Sequence, residues 1–188
     1  MTNPYETCPI FENESYLIRM IDESDAPDLL LVYSDEKAVP FFNSDNCGGD
    51  DFYMTRLEYV QGAIKAWQEA YERREFVRWS IIDKKAKQAI GTIELFNRHA
   101  EDYFNDCAIL RLDLRSDYER REVIYEIVSL IAQPAFEMFD CRMIATKIPP
   151  LASLRRQAAE EWGFASSSER LIGHDGTAYT DYFILRKK

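Results

Sequence analysis

Between Cys107 and Phe139 the chain reads as a strand that runs straight into a long helix, and this joint restricts the fold more than any other stretch. In "CAILRLDL" the residues Ala108, Leu110, Leu112 and Leu114 share one face, while Ile109, Arg111, Asp113 and Arg115 share the other. From about residue 119 to 139 the apolar positions Val123, Ile124, Ile127, Val128, Ile131, Ala135 and Phe139 recur at the three-and-four spacing of a helix face. Pro134 removes an amide and crowds the carbonyl of Leu130, which predicts a kink. The joint itself, "DLRSDYERREVI", contains no glycine.

Other stretches supply partners for that unit. "SYLIRMI" alternates like a strand, and the helix after it has Ser24 as its expected N-cap and Pro27 in its first turn. After a turn-rich section, Phe42 to Asp51, residues from about 52 to 74 place Leu57, Val60, Ile64, Trp67 and Tyr71 on one helical face. "FVRWSIID" and "QAIGTIELF", joined by "KKAK", predict an antiparallel hairpin in which Gly91 marks a bulge. "CRMIATKI" follows as a strand, and the helix in "PPLASLRRQAAEEWGF" stops at Gly163. "RLIGHDGTAY" and "TDYFILRK" read as a closing hairpin turning at Asp175-Gly176. The order βααβββαβαββ predicts an α+β fold, a mixed but mostly antiparallel sheet flanked by helices on both faces. One domain over 1–188, with its core at about 15–187, is expected from a chain of 188 residues without a linker or repeat.

The composition removes several function classes. A net charge of -10 opposes nucleic acid or an anionic membrane as partner, and the basic run Leu154 to Gln157 is too short to alter this. The four cysteines form no C-x-x-C pair and only His99 and His174 could join them, so no metal site is expected. With no apolar run of roughly 18 residues and no basic, greasy leader, the expected location is cytoplasmic.

"YLIRMIDESDAPDLL", "WSIIDKKAKQAIGTIELF" and "EEWGF", in this element order, resemble the GCN5-related N-acetyltransferase family, and most closely its branch of ribosomal-protein alanine acetyltransferases, over roughly residues 15 to 187. Leu17, Arg19, Asp25, Ala26 and Leu29 match the branch's first strand and helix, and Ile90, Gly91 and Ile93 its "I-G-x-I" hairpin. The resemblance implies an acetyl-CoA-dependent N-acetyltransferase acting on a primary amine, either a protein N-terminus or a small molecule. A homodimer is among the assemblies it allows. The implied cofactor-binding stretch is the strand end Leu112 and Leu114 with the junction Glu119, Arg120, Arg121, Glu122, Val123 and Ile124.

In the family that junction reads R/Q-x-x-G-x-G/A, and its backbone amides at a helix start hold the cofactor's pyrophosphate. Laid over a common form of the junction, Tyr118 and Glu126 match. Glu119 stands where arginine or glutamine is expected, Arg120 and Glu122 replace the two glycines, and Ile124 replaces the small residue. Carboxylates here repel phosphate, and side chains fill the volume it needs; Arg120 and Arg121 offset part of the repulsion. Acidic residues in a helix's first turn also serve the helix dipole. The family's asparagine and serine, three apart in the last helix, fall on Ala152 and Arg155.

Acetyl transfer requires a proton acceptor for the amine and an acid for the departing thiolate. The candidate bases are the strand carboxylates Glu94 and Asp113, and the candidate acids Tyr182 and Tyr179 of the closing hairpin. Arg111 shares a strand face with Asp113, placing it to pair with that carboxylate or to grip an acidic group of the acceptor. Two readings stand: the acetyltransferase, and a binding or interaction module of the same fold that no longer acetylates.

Overall fold

The computed structural model describes residues 3–187. Its strands are β1 (Phe11–Glu12), β2 (Tyr16–Met20), β3 (Val77–Asp83), β4 (Gln88–Arg98), β5 (Cys107–Leu114), β6 (Met143–Lys147), β7 (Ala165–Ser166), β8 (Leu171–Ile172), β9 (Ala178–Tyr179) and β10 (Tyr182–Arg186). The helices are α1 (Ala26–Tyr33), α2 (Leu57–Glu72), α3 (Arg121–Met138) and α4 (Ser153–Trp162). Eight strands form one sheet in the order β1-β2-β3-β4-β5-β6-β10-β7. Every neighbouring pair in it is antiparallel except β5 with β6.

The helices cover both faces, as the alternation in the strands requires. Leu29, Val32, Val60, Ile64 and Trp67 of α1 and α2 pack on one face beside Ala89. On the other, α3 and α4 bury Val123, Ile127, Ile131 and Ala158 against Trp79, Ile93, Leu110 and Leu112. The leucine side of β5 therefore faces α3, and Arg111 and Asp113 point to the α1–α2 side. α3 continues through Pro134 as one helix.

Gly91 lies at the expected irregularity: Ile81 pairs with Gly91 and Ile82 with Ala89, so Ile90 is the extra residue of a bulge. A Cβ at Gly91 would stand 2.1 Å from the Asp113 carbonyl oxygen, so no other residue fits there without moving β5.

Four local expectations are corrected. Asp22, not Ser24, caps the first helical turn: its side chain accepts from the Ser24 amide, while Asp25 accepts from the Asp22 amide. The second helix begins at Leu57 rather than near 52, since Phe52 takes a left-handed φ of 62° and Arg56 is extended. The turn at Asp175-Gly176 joins β8 only to β9, in a separate two-stranded ribbon. β10 leaves this ribbon and inserts between β6 and β7, because Tyr182, Phe183 and Leu185 must be buried and the short ribbon has no room for them. Finally, residues before 15 belong to the packed structure. Tyr5 and Phe11 pack against the core, Trp79 Nε1 donates to the Pro9 carbonyl at 2.9 Å and the Tyr71 hydroxyl to the Pro4 carbonyl at 2.9 Å.

Candidate functional site

β5 and β6 part company partway along. Their parallel pairing ends at Leu110 with Thr146, whereas β5 runs on to Leu114. Above this opening lie the start of α3 and one side of α4, so the gap between the strands is a groove lined by Leu110, Leu112, Ile124, Val128, Arg155 and Phe164. Only about 20 Å³ of it is free.

The junction over the groove departs from the expected helical start. Its first residues make a short turn, Ser116 to Tyr118, with the Ser116 amide donating to Asp35 at 2.9 Å, and α3 starts at Arg121 behind an extended Arg120. Glu119 thus precedes the helix and does not serve its first turn. Its side chain, only 8% exposed, forms an ion pair with Arg155 of α4, 6% exposed. Arg155 Nε donates to Glu119 Oε2 at 3.0 Å, and Nη1 donates to the Phe41 carbonyl at 2.9 Å. The two sequence departures at Glu119 and Arg155 are therefore one interaction, 36 residues apart in the chain. Glu122 does lie in the first turn and is exposed, as is Arg120; Arg121 pairs with Glu161 of α4. Leu112 and Ile124 line the groove, while Leu114 and Val123 are packed in the core.

On the α1–α2 face a polar stripe crosses the sheet. Register places Arg19 beside Ser80, Thr92 and Asp113 in successive strands, and Arg78 beside Glu94 and Arg111. Arg78, 1% exposed, lies at the centre: Nη2 meets Glu94 Oε2 at 2.5 Å, and Nη1 lies 3.3 Å from Asp113 Oδ2. The Tyr33 hydroxyl donates to Asp113 at 3.1 Å, and the Trp67 ring lies 4.2 Å from the guanidinium carbon. Glu94 also accepts from Arg111 Nη1 at 3.1 Å.

The two candidate bases are thus brought together, but in opposite electrostatic settings. Burial alone would raise the Glu94 carboxyl, and Arg78 and Arg111 outweigh it, holding the group below its ordinary value. For Asp113 burial wins over Arg78 and Arg155, so its carboxyl is raised from 3.8, and Oδ1 has no hydrogen-bond partner among the described residues. A group with a raised folded pKa destabilises once ionised, and that cost is absent below the unfolded value. Asp113→Asn is therefore expected to melt above the wild type at pH 7, with the difference disappearing as pH falls through 3.8. Melting curves from acid to neutral pH check this; a variant that melts lower at pH 7 would refute it.

Tyr182 hydrogen-bonds neither of those carboxylates. Its hydroxyl donates to Asp45 Oδ2 at 3.1 Å, and burial first, then the Asp45 charge, push the phenol well above its usual range. Asp45 also binds Lys147 Nζ at 2.5 Å, and its carbonyl accepts from Arg111 Nη2 at 2.7 Å. Tyr179 instead holds the ribbon, its hydroxyl accepting from the Asn46 amide at 3.1 Å. Sequence reasoning missed Arg78, Asp45 and Lys147. A charged residue among the apolar positions of "FVRWSIID" was the available signal for Arg78. Asp45 lies in a turn-rich stretch without periodicity and gave none.

Residues 16–165 match the family model of the acetyltransferase (GNAT) domain. A curated relative, the uncharacterized N-acetyltransferase YoaA of Bacillus subtilis (strain 168), is 24% identical over 120 residues, which is 64% of this chain and 55% of the relative. The chain thus spans little more than half of that relative's length. Among solved structures, the ribosomal-protein-S5-alanine acetyltransferase of Vibrio fischeri superposes with a TM-score of 0.68 at 18% identity, over 94% of each chain. RimJ of Mycobacterium smegmatis, in complex with CoA-disulfide, superposes at 0.68 with 13% identity, over 94% of this chain and 84% of that one. Matched over most of its length, the chain belongs to the GNAT acetyltransferase family.

Proposed function

We propose that this chain, acting as one domain, transfers an acetyl group from acetyl-CoA to a primary amine. What carries the reading is the opening between β5 and β6 beneath the start of α3, within a chain matched to this family. RimJ, a structural neighbour, was solved with CoA-disulfide, which supports a CoA-type donor. The apolar lining of Leu112, Ile124 and Val128 suits the cofactor's thin arm, and the early amides of α3 suit its phosphates. The buried Glu119–Arg155 pair lies beside this groove and sets a carboxylate where the phosphates would approach, which opposes them by charge.

The same pair favours a second reading, a binding module that no longer acetylates. Glu119 already satisfies Arg155, a buried arginine beside the junction, and acts there as a built-in anion. One experiment separates the two. Acetyl-CoA is titrated calorimetrically into the whole chain with free CoA as control, and thiol release is followed with a panel of amines. Binding with amine-dependent thiol release is expected; no heat and no turnover at millimolar acetyl-CoA would leave the second reading.

A further inference from the structure

Four strand ends meet at the rim of the sheet opposite the α3 junction: β4 stops at Arg98, β5 starts at Cys107, β6 starts at Met143 and β10 stops at Arg186. The β4–β5 loop and the turn between α3 and β6 line an open cavity of about 800 Å³ at this rim. It shares no lining residue with the groove beneath α3.

Pairing register brings like charges together there. Met143 lies opposite Arg186 in the β6–β10 ladder, and one step further the Lys187 amide donates to the Arg142 carbonyl at 3.0 Å. Arg142 and Lys187 are therefore cross-strand neighbours, a placing in which like charges destabilise a sheet. Arg186 is a third cation on the lining; its Nη2 donates to the Tyr103 hydroxyl at 2.7 Å, and its guanidinium carbon lies 5.7 Å from that ring. None of the three forms an ion pair among the described residues. Acidic residues outnumber basic ones by 33 to 23 in this chain, so a basic side chain meets a carboxylate easily, and three without one in a single cavity do not follow from composition.

The two carboxylates on the lining leave these cations unanswered. Asp106 is engaged within its own loop, with Oδ1 2.8 Å from His99 Nδ1 and Oδ2 accepting from Asn105 Nδ2 at 3.3 Å. Asp140, exposed on the turn after α3 with a left-handed φ of 44°, pairs with neither Arg142 nor Lys187. Arginine and lysine side chains only donate, so what is missing from the cavity is an anion rich in acceptors. Guanidinium groups match phosphate oxygens two at a time, while an ammonium adds a point charge.

We infer that this cavity binds a small phosphorylated molecule through a diphosphate group, which Arg142, Arg186 and Lys187 hold. Three cations exceed what one carboxylate or one phosphate occupies, and the volume leaves room for an organic body. The inference stands apart from the acetyl-transfer reading, since the groove contributes nothing to the site.

The test titrates pyrophosphate calorimetrically into the full chain, beside inorganic phosphate and the diamine putrescine. Pyrophosphate is expected to bind about tenfold or more tightly than phosphate, and to weaken as salt is added. Arg142→Gln with Lys187→Gln should lower its affinity by about tenfold or more. Both residues are exposed and repel one another, so the bare double variant should melt no lower than the wild type. Pyrophosphate should then raise the melting temperature of the wild type and not of the variant. Arg120→Gln, at the α3 junction, should bind pyrophosphate as the wild type does. Affinity lost in Arg120→Gln but kept in the double variant would place the anion at the junction and overturn the inference. Putrescine binding more tightly than pyrophosphate would also overturn it, as would no pyrophosphate binding at millimolar concentration.

Discussion

Arg78→Met should lower the fold's stability by about 3–5 kcal/mol, a fall in Tm of about 6–20 °C. The substitution keeps the length of the side chain and its contact with Trp67 but removes the one cation that faces both Glu94 and Asp113. Two carboxylates then lie buried, with Arg111 serving only Glu94. Protonation relieves part of the strain, so the variant should recover as pH falls, whereas the wild type loses the Glu94 contribution on acidification. The sign follows from Glu94 itself. Its carboxyl is held below 4.5 in the fold, so its stabilisation is present above that value and lost as pH falls through the folded one. Adding Glu94→Gln and Asp113→Asn to Arg78→Met should restore a large part of the loss, since uncharged groups have less to desolvate. Melting at neutral pH measures all three; a single variant that melts with the wild type would show that the stripe contributes nothing to stability.

The second large effect has two opposite signs in one protein. Glu119→Gln should cost about 2–3 kcal/mol of fold stability, because Arg155 is left buried with a weaker partner. The same change should strengthen acetyl-CoA binding at least tenfold, about 1.4 kcal/mol, by freeing that arginine for phosphate and removing a like charge. Thermal melting of the bare chain and calorimetry with the cofactor read the two separately. Loss of stability without a gain in affinity would mean that the pair guards the packing of α4 on the junction and nothing more.

The fold was legible because alternation in the strands is a local signal. The faces of β5, the hairpin of β3 and β4 and the bulge at Gly91 all rest on residues within a few positions of one another. Contacts that define the candidate site are different in kind. Glu119 and Arg155 were each visible as departures, but that they face one another depends on how α4 docks on the junction, which no periodicity encodes. Glu94 and Asp113 were visible as carboxylates on one sheet face; that Arg78 stands between them depends on the register of three strands. Asp45, in "FNSDNCGGDD", resembles any loop carboxylate until Lys147 and Tyr182 close around it.

The place of β10 in the sheet governs how the protein is assembled. β2 to β5 pair as neighbours, the last three through contacts short in sequence, and such structure forms early. β6 pairs with β5 on one side, but its other edge, and β7 altogether, gain a partner only when Tyr182 to Arg186 have been synthesised. The half of the sheet that bears the groove and the ribbon is therefore the last to close during translation. Until then β6 exposes an unpaired edge, the site at which a nascent chain of this topology is most open to pairing with another.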